Sequence, residues 1–261
     1  MNAFRSLALV ALWALSILAP RPVAAQAARP ELLVYCGITM VRPMAEIAQL
    51  FEKRENVKVT MAQGGSEDLY QSAKRSGGDL YLPGEPSYRE RHLKEGLLGD
   101  YVGVGYNQMA LMVQKGNPKK VKADPRELLR RDLIVILGNA ESGSVGNESK
   151  DILDRLGIYP QVVKAAAFLA PDSRSLSIAM RRRDADLTMN WRAAGFAPEN
   201  QAVLEMIDLD PKLAAPQALL LNLLTVSRNP DLARRFMTLA QGPDGQAIFR
   251  RHGFLDNAAQ R

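Results

Sequence analysis

Apolar positions along the chain change period in a regular order. Residues 31–36, apolar from Leu32 on, read as a buried strand, and from Pro43 onward Met44, Ile47, Ala48 and Phe51 recur at the spacing of one helix face. Val57, Val59 and Met61 then alternate with Lys58 and Thr60, the period of a strand. Strand, helix and strand in this order predict a parallel pair joined by a right-handed crossover. The unit recurs: a turn at Gly64-Gly65 leads to a helix over 67–76 ended by Gly77-Gly78. A strand over 79–82 stops at Pro83-Gly84, and a helix over 87–95 ends at Gly96.

Farther along, the pattern predicts strands over 106–114, 133–137, 165–169, 187–191 and 219–226. Helices are expected after Asp124, which reads as an N-cap with Pro125 in the first helical position, over 148–156 and 172–183, and from Pro230 and Pro243. Residues 138–147 are a Gly/Ser-rich loop entering a helix. Strands alternating with helices predict an α/β fold on mainly parallel sheets.

The first 25 residues stand outside that pattern. Arg5 precedes an apolar run over 7–19, then Pro20, Pro22 and Val23-Ala24-Ala25, which predicts a signal peptide over 1–25 cleaved after Ala25. That run is well short of the roughly 20 residues a membrane helix needs. Cys36 lies far beyond it and follows a bulky Tyr, which does not suit a lipid-anchored cysteine. A soluble, exported, periplasmic chain is expected.

Composition narrows the chemistry. The 47% hydrophobic residues are enough for a sizeable core. The net charge of +6 falls to +4 once Arg5 and Arg21 leave, a modest balance that suits a small anionic ligand, and no Lys/Arg tract points to nucleic acid. A single Cys excludes an internal disulfide and predicts a buried thiol at Cys36. His92 and His252 have no Cys or His neighbour at ligand spacing, so neither a metal nor a cofactor is expected.

In open α/β sheets, ligands bind beyond the carboxyl ends of strands, where loops enter helices. Three such corners are 37–42, 64–68 and 138–147. Each carries Gly and a hydroxyl, namely Thr39, Ser66 and Ser144. Unpaired N–H groups and the positive helix dipole favour an anion there, and Gly37, Gly65 and Gly146 allow close approach to the backbone. Pro43 lacks an N–H and disfavours helical geometry at Arg42, which places the donors of the first corner before it. Each hydroxyl taken alone fits better as a simple helix cap, and it is three such corners on successive units that point to a site.

From about residue 32 to 254, the order of these segments resembles the periplasmic solute-binding proteins of ABC importers, most nearly the molybdate-binding type. The resemblance is carried by residues 33–51, the Gly-Ser corner with Asp79-Leu80-Tyr81-Leu82, the run 110–118 and the run 233–254 ending Arg251-His252-Gly253-Phe254. It implies two α/β lobes joined by two crossing strands, one lobe from 32–105 plus 208–256 and the other from 106–207, with hinges near Gly105 and Asp208. It also implies a monomer that grips a small oxyanion and hands it to an ABC permease.

The resemblance places the family's ligand groups on Thr39, Ser66, an amide at Val145 and, in place of the family's Tyr, Trp191; Gly65, Ser144, Arg174 and Asn190 complete the expected site. An indole donates one hydrogen bond and cannot accept one as a phenol can. Arg42, Arg174 and Arg192 near the expected cleft would suit an organic phosphate, sulfonate or carboxylate instead of a bare oxyanion, and a remodelled cleft could also admit an apolar solute. For an enzyme the acids and bases on offer are Glu67, Asp68, Glu141 and His92. Ser144 lies in Gly143-Ser144-Val145-Gly146, which is not the Gly-x-Ser-x-Gly elbow of a hydrolase.

Overall fold

The computed structural model describes residues 29–256, so the expected signal peptide over 1–25 lies outside the described residues. β1 (Glu31–Gly37) is almost uniformly apolar because both its faces are covered. Leu32, Val34 and Cys36 enter one core, while Leu33 and Tyr35 turn to another. α1 (Val41–Glu55) buries the predicted stripe of Met44, Ile47, Ala48 and Phe51. It begins two residues before Pro43, so Arg42 is helical after all. Proline is tolerated there because its missing N–H would have had no partner in the first turn.

β2 (Lys58–Gly64) pairs with β1 in parallel from Glu31↔Lys58 to Gly37↔Gly64, and both strands end at the same level as the corners that follow them. α2 (Ser66–Ser76), β3 (Leu80–Leu82), α3 (Ser87–His92) and β4 (Leu98–Asn107) follow. The first half of β4 escapes the sequence pattern because Gly99, Gly103 and Gly105 interrupt its alternation.

The chain then enters a second sheet through β5 (Met109–Gln114). The segment after Asp124 is a 3-10 helix, capped as expected by the Asp124 carboxylate accepting from Arg126 N. The expected strands 133–137 and 165–169 shrink to the two-residue pair β6 (Leu137–Gly138) and β7 (Leu169–Ala170). α4 (Ser144–Arg155) starts four residues earlier than its pattern suggests, and α5 (Tyr159–Ala165) follows it. α6 (Ser173–Arg182), β8 (Leu187–Trp191), α7 (Pro198–Gln201) and β9 (Leu204–Asp208) complete the segment.

The chain returns to the first sheet as β10 (Gln217–Leu224) and closes with α8 (Pro230–Gln241) and α9 (Pro243–Arg251). The first sheet has the order β2-β1-β3-β10-β4 and the second β8-β5-β9. The first sheet is mixed and the second is antiparallel, where mainly parallel sheets were expected. β10 runs antiparallel to β3 and β4, and β5 runs antiparallel to both β8 and β9. Alternating strand and helix patterns cannot distinguish a crossover from a strand that comes back the other way, so strand direction is set by the tertiary fold and not by the local pattern.

A smaller core around Tyr35, Tyr70 and Tyr81 lies on the other face of the first sheet, and two main cores accompany the two sheets. One gathers buried residues between Met109 and Ala214, and the other joins β1, α1, β10, α8 and α9, with Phe51 edge-on to Phe236 at 5.2 Å. The chain passes between them at Gln108 and again between Asp208 and Gln217. Gln108 Nε2 donates to Leu209 O at 3.1 Å, and its own carbonyl accepts from Arg192 N at 2.8 Å, so the two passages are tied together.

Candidate functional site

The corners after β1, β2 and β6 meet. Gly37, Thr39, Gly65, Ser66, Ser144 and Val145 line one small cavity, joined by Gly84, Gly143, Asp172 and Ser173. The corners after β1 and β2, with Gly84 after β3, follow strands of the first sheet and the rest belong to the segment between β5 and β9, so the cavity lies on the seam between the two halves. Its volume is about 10 Å³, room for one water-sized particle.

Glycine is what lets the halves approach. A Cβ on Gly65 would stand 2.5 Å from the carbonyl oxygen of Ser142, and one on Gly84 would stand 2.8 Å from Ser144 Cβ. Real Cβ atoms do not come this close to other atoms, so these two residues decide how far the seam can shut. Gly84 escaped the sequence reading, which took Pro83-Gly84 only as the end of a strand.

The hydroxyls are not helix caps. The N-caps of α2 and α4 are Gly65 and Gly143, and neither helix has a side-chain cap, whereas α6 is capped by Asp172 accepting from Ser175 N at 2.7 Å. Ser66 Oγ accepts from Gly84 N at 3.1 Å, and Ser144 Oγ accepts from the Trp191 indole Nε1 at 3.2 Å. Because an N–H can only donate, each serine oxygen is engaged as acceptor and its own hydrogen stays free to point into the cavity. Thr39 Oγ1 makes no hydrogen bond among the described residues. The first-turn amides of α2 and α4 add further donors without intrahelical partners. The arrangement offers hydrogen and partial positive charge, which suits an anion.

The remaining expected residues separate. Val145 is packed into a core, so only its amide faces the seam. Trp191 is 1% exposed and lies behind Ser144 as a support. Asn190 is fully buried: its Oδ1 accepts from Ser173 Oγ and Trp191 N, and its Nδ2 donates to Ser173 O. Neither of these two residues lines the cavity. A strand sends successive side chains to opposite faces, so Asn190 is committed to α6. Asn190→Leu is therefore expected to cost about 2–4 kcal/mol of stability by orphaning buried partners, read as a lower midpoint in urea unfolding.

Arg174 and Arg42 lie beside the cavity, not in it. Arg174 donates to Gln63 Oε1 at 3.0 Å across the seam, and Arg42 pairs with Glu199 at 2.6 Å. Arg192 turns away, bound to Asp208 and to the carbonyl of Gly253 and stacked on Phe196. His92 is remote from the cavity, stacked on Tyr70 and bonded to Glu95 and Glu67. The neighbour of Ser144 is thus an indole, which cannot take a proton from it.

Two buried acids flank the cavity on the same seam. Glu85, next to Gly84, accepts from Ser87 N and Oγ and from Asn147 Nδ2 at 3.2 Å. Glu148 accepts from Gln217 Nε2 at 3.1 Å. Burial, then the nearby Glu85 and Asp151 carboxylates, push the Glu148 carboxyl up to about 7, and burial also raises Glu85. The folded state therefore holds these protons more tightly than the unfolded chain does. The stability contributed by Glu148 is fully present below about pH 4.5 and is lost as pH rises through about 7, and Glu85 acts in the same direction. Glu148→Gln is expected to remove on the order of 3 kcal/mol of that loss at pH 8 and to change little at pH 4.5, measured by denaturant unfolding at both pH values.

Two α/β halves that meet glycine to carbonyl around a donor-lined cavity define a two-lobed ligand-binding protein. The chain belongs to the bacterial extracellular solute-binding protein family, whose model matches residues 32–255. It is 21% identical over 228 residues to a Haemophilus influenzae protein named as a binding protein, covering 86% of this chain and 91% of the relative. Its fold is similar to the sulfate-binding protein SubI from Mycobacterium tuberculosis, with a TM-score of 0.76, 16% identity and 88% of each chain covered. It is also similar to the periplasmic molybdate-binding protein of Azotobacter vinelandii, with a TM-score of 0.69, 14% identity and coverage of 86% of this chain and 98% of that one.

Proposed function

We propose that this is an exported, periplasmic, monomeric solute-binding protein, without catalytic activity, that captures a small oxyanion of the molybdate, tungstate or sulfate kind and delivers it to an ABC permease. The observation that carries the reading is the convergence of Thr39, Ser66, Ser144 and the α2 and α4 amides on one cavity shared by two lobes. In this reading, residues 32–105 and 208–256 form one lobe and 106–207 the other, and the passages at Gln108 and between Asp208 and Gln217 act as the hinge. The apposed conformation leaves space for a water-sized particle, so the solute enters while the lobes are apart. Closure then stops against the solute, because contacts from both lobes exist together only in that state.

Sulfate- and molybdate-binding neighbours of the same fold support an oxyanion. So does the absence of a carboxylate partner for the free hydroxyl hydrogens among the described residues, since neutral donors can hold an anion without a full countercharge. The test is a thermal-shift panel on the mature chain after unfolding and refolding to strip bound solute, using molybdate, tungstate, sulfate, phosphate and simple carboxylates. An anion at about 100 times its Kd adds about 2.7 kcal/mol, which raises Tm by roughly 5–10 °C for a chain of this size. No response to any anion would contradict the reading.

A further inference from the structure

A second cavity of about 200 Å³ adjoins the corner cavity, and Ile38, Thr39 and Ser173 are common to the walls of both. It too lies on the seam, between the start of α1 on one side and α6 with the segment 193–200 on the other. Its volume is below the roughly 300–1,000 Å³ of sites for drug-sized ligands, so its occupant is small. Ile38, Ile178 and Phe196 give it apolar wall, and its charged groups are unbalanced.

Arg42, Arg174 and Arg181 face a single carboxylate, Glu199, which Arg42 already holds. Arg174 and Arg181 make no ion pair among the described residues and donate only to neutral amides, Arg174 to Gln63 and Arg181 to Asn200 Oδ1 at 2.5 Å. His252, also in the wall, is engaged by Glu46. A guanidinium fork held open by an amide is set to exchange that partner for a carboxylate or phosphate, which binds it more strongly. A bare oxyanion in the corner cavity would leave this chamber and its two unmatched cations unused.

We propose that the solute is a small organic anion with two acidic ends. One end is held by Thr39 and the corner donors, and a short body crosses the wall at Thr39 into the chamber, where the second acidic group meets Arg174 and Arg181. The inference rests on the corner cavity being the anion site and puts, in place of a bare oxyanion there, one end of an organic acid.

The test compares inorganic phosphate and sulfate with phosphonoacetate and sulfoacetate, titrated calorimetrically into the refolded mature chain. Each two-headed acid is expected to bind at least roughly tenfold tighter than its inorganic parent, the effect of one added charge-assisted contact. Arg174→Gln and Arg181→Gln, singly and together, are expected to bring that ratio down toward one, whereas Ser66→Ala weakens parent and two-headed acid alike. Arg174 is exposed, so its variant gives a reading even if Arg181→Gln unfolds. Inorganic ions that bind as well as the two-headed acids, or a ratio unmoved by Arg174→Gln, would overturn the inference and leave the oxyanion reading standing. No binding by any of the four would overturn the inference, and would overturn the oxyanion reading as well if molybdate and tungstate also fail to bind.

Discussion

A Gly65→Ala chain is expected to fold normally and to lose at least about a hundredfold in anion affinity, equivalent to about 3 kcal/mol. The backbone at Gly65 has φ −67° and ψ 148°, which alanine adopts without strain, so the lobe that carries it is not disturbed. The added carbon meets the second lobe, at 2.5 Å from Ser142 O. A backbone carbonyl cannot swing aside as a side chain can, and this one belongs to a turn pinned by Ser142 Oγ donating to Pro171 O at 2.9 Å. The lobes must stop short, and donors on the far wall no longer reach a solute bound to the near one. Calorimetric titration with the anion that responds in the wild type, beside a thermal melt, measures both halves of the expectation. Unchanged affinity would mean that the corners do not approach this closely around bound solute.

Removing both serine hydroxyls is the second large effect. Each offers its hydrogen to the cavity while its oxygen accepts, Ser66 from Gly84 N and Ser144 from the Trp191 indole. A hydrogen bond to a charged group is worth about 1.5–3 kcal/mol, so Ser66→Ala with Ser144→Ala should weaken anion binding by roughly two to four orders of magnitude. The loss should fall mainly on the dissociation rate, since the lobes still close and only the grip is weaker. Stopped-flow measurement of release by the single and double variants checks this. The single variants also leave Gly84 N–H or the indole N–H without its partner, so part of each loss is the cost of an orphaned donor.

Much of the scaffold was legible because it follows periodicity. The i, i+3, i+4, i+7 stripe of Met44, Ile47, Ala48 and Phe51 marks the buried face of α1, and the run 187–191 is β8 to the residue. Strand direction was not legible, since no local pattern distinguishes the antiparallel return of β8 beside β5 from a parallel crossover. The corners at Thr39, Ser66 and Ser144 could each be found from Gly, hydroxyl and helix start. That they share one cavity depends on two chain passages between the sheets, which lie far from them in sequence.

Asn190 and Trp191 show the opposite failure. Adjacent polar and aromatic residues at a strand end look like ligand contacts, yet the fold spends one on α6 and sets the other behind Ser144. Gly84 and the chamber were missed for a shared reason. A glycine's role in close approach, and a cavity formed by α1, α6 and residues 193–200, exist only once the two halves are in contact.

The central claim, that two lobes close on a shared anion, is tested most directly by the distance between them. Spin labels at Arg75→Cys on α2 and Asp151→Cys on α4, both exposed, report it by double electron–electron resonance. Native Cys36 is buried and its thiol is pushed up by that burial, which keeps it from being labelled. The account predicts a broad or longer distance without anion, a single shorter one at saturation, and no such shortening with Gly65→Ala. An anion that binds with full affinity while the distance stays fixed would contradict it.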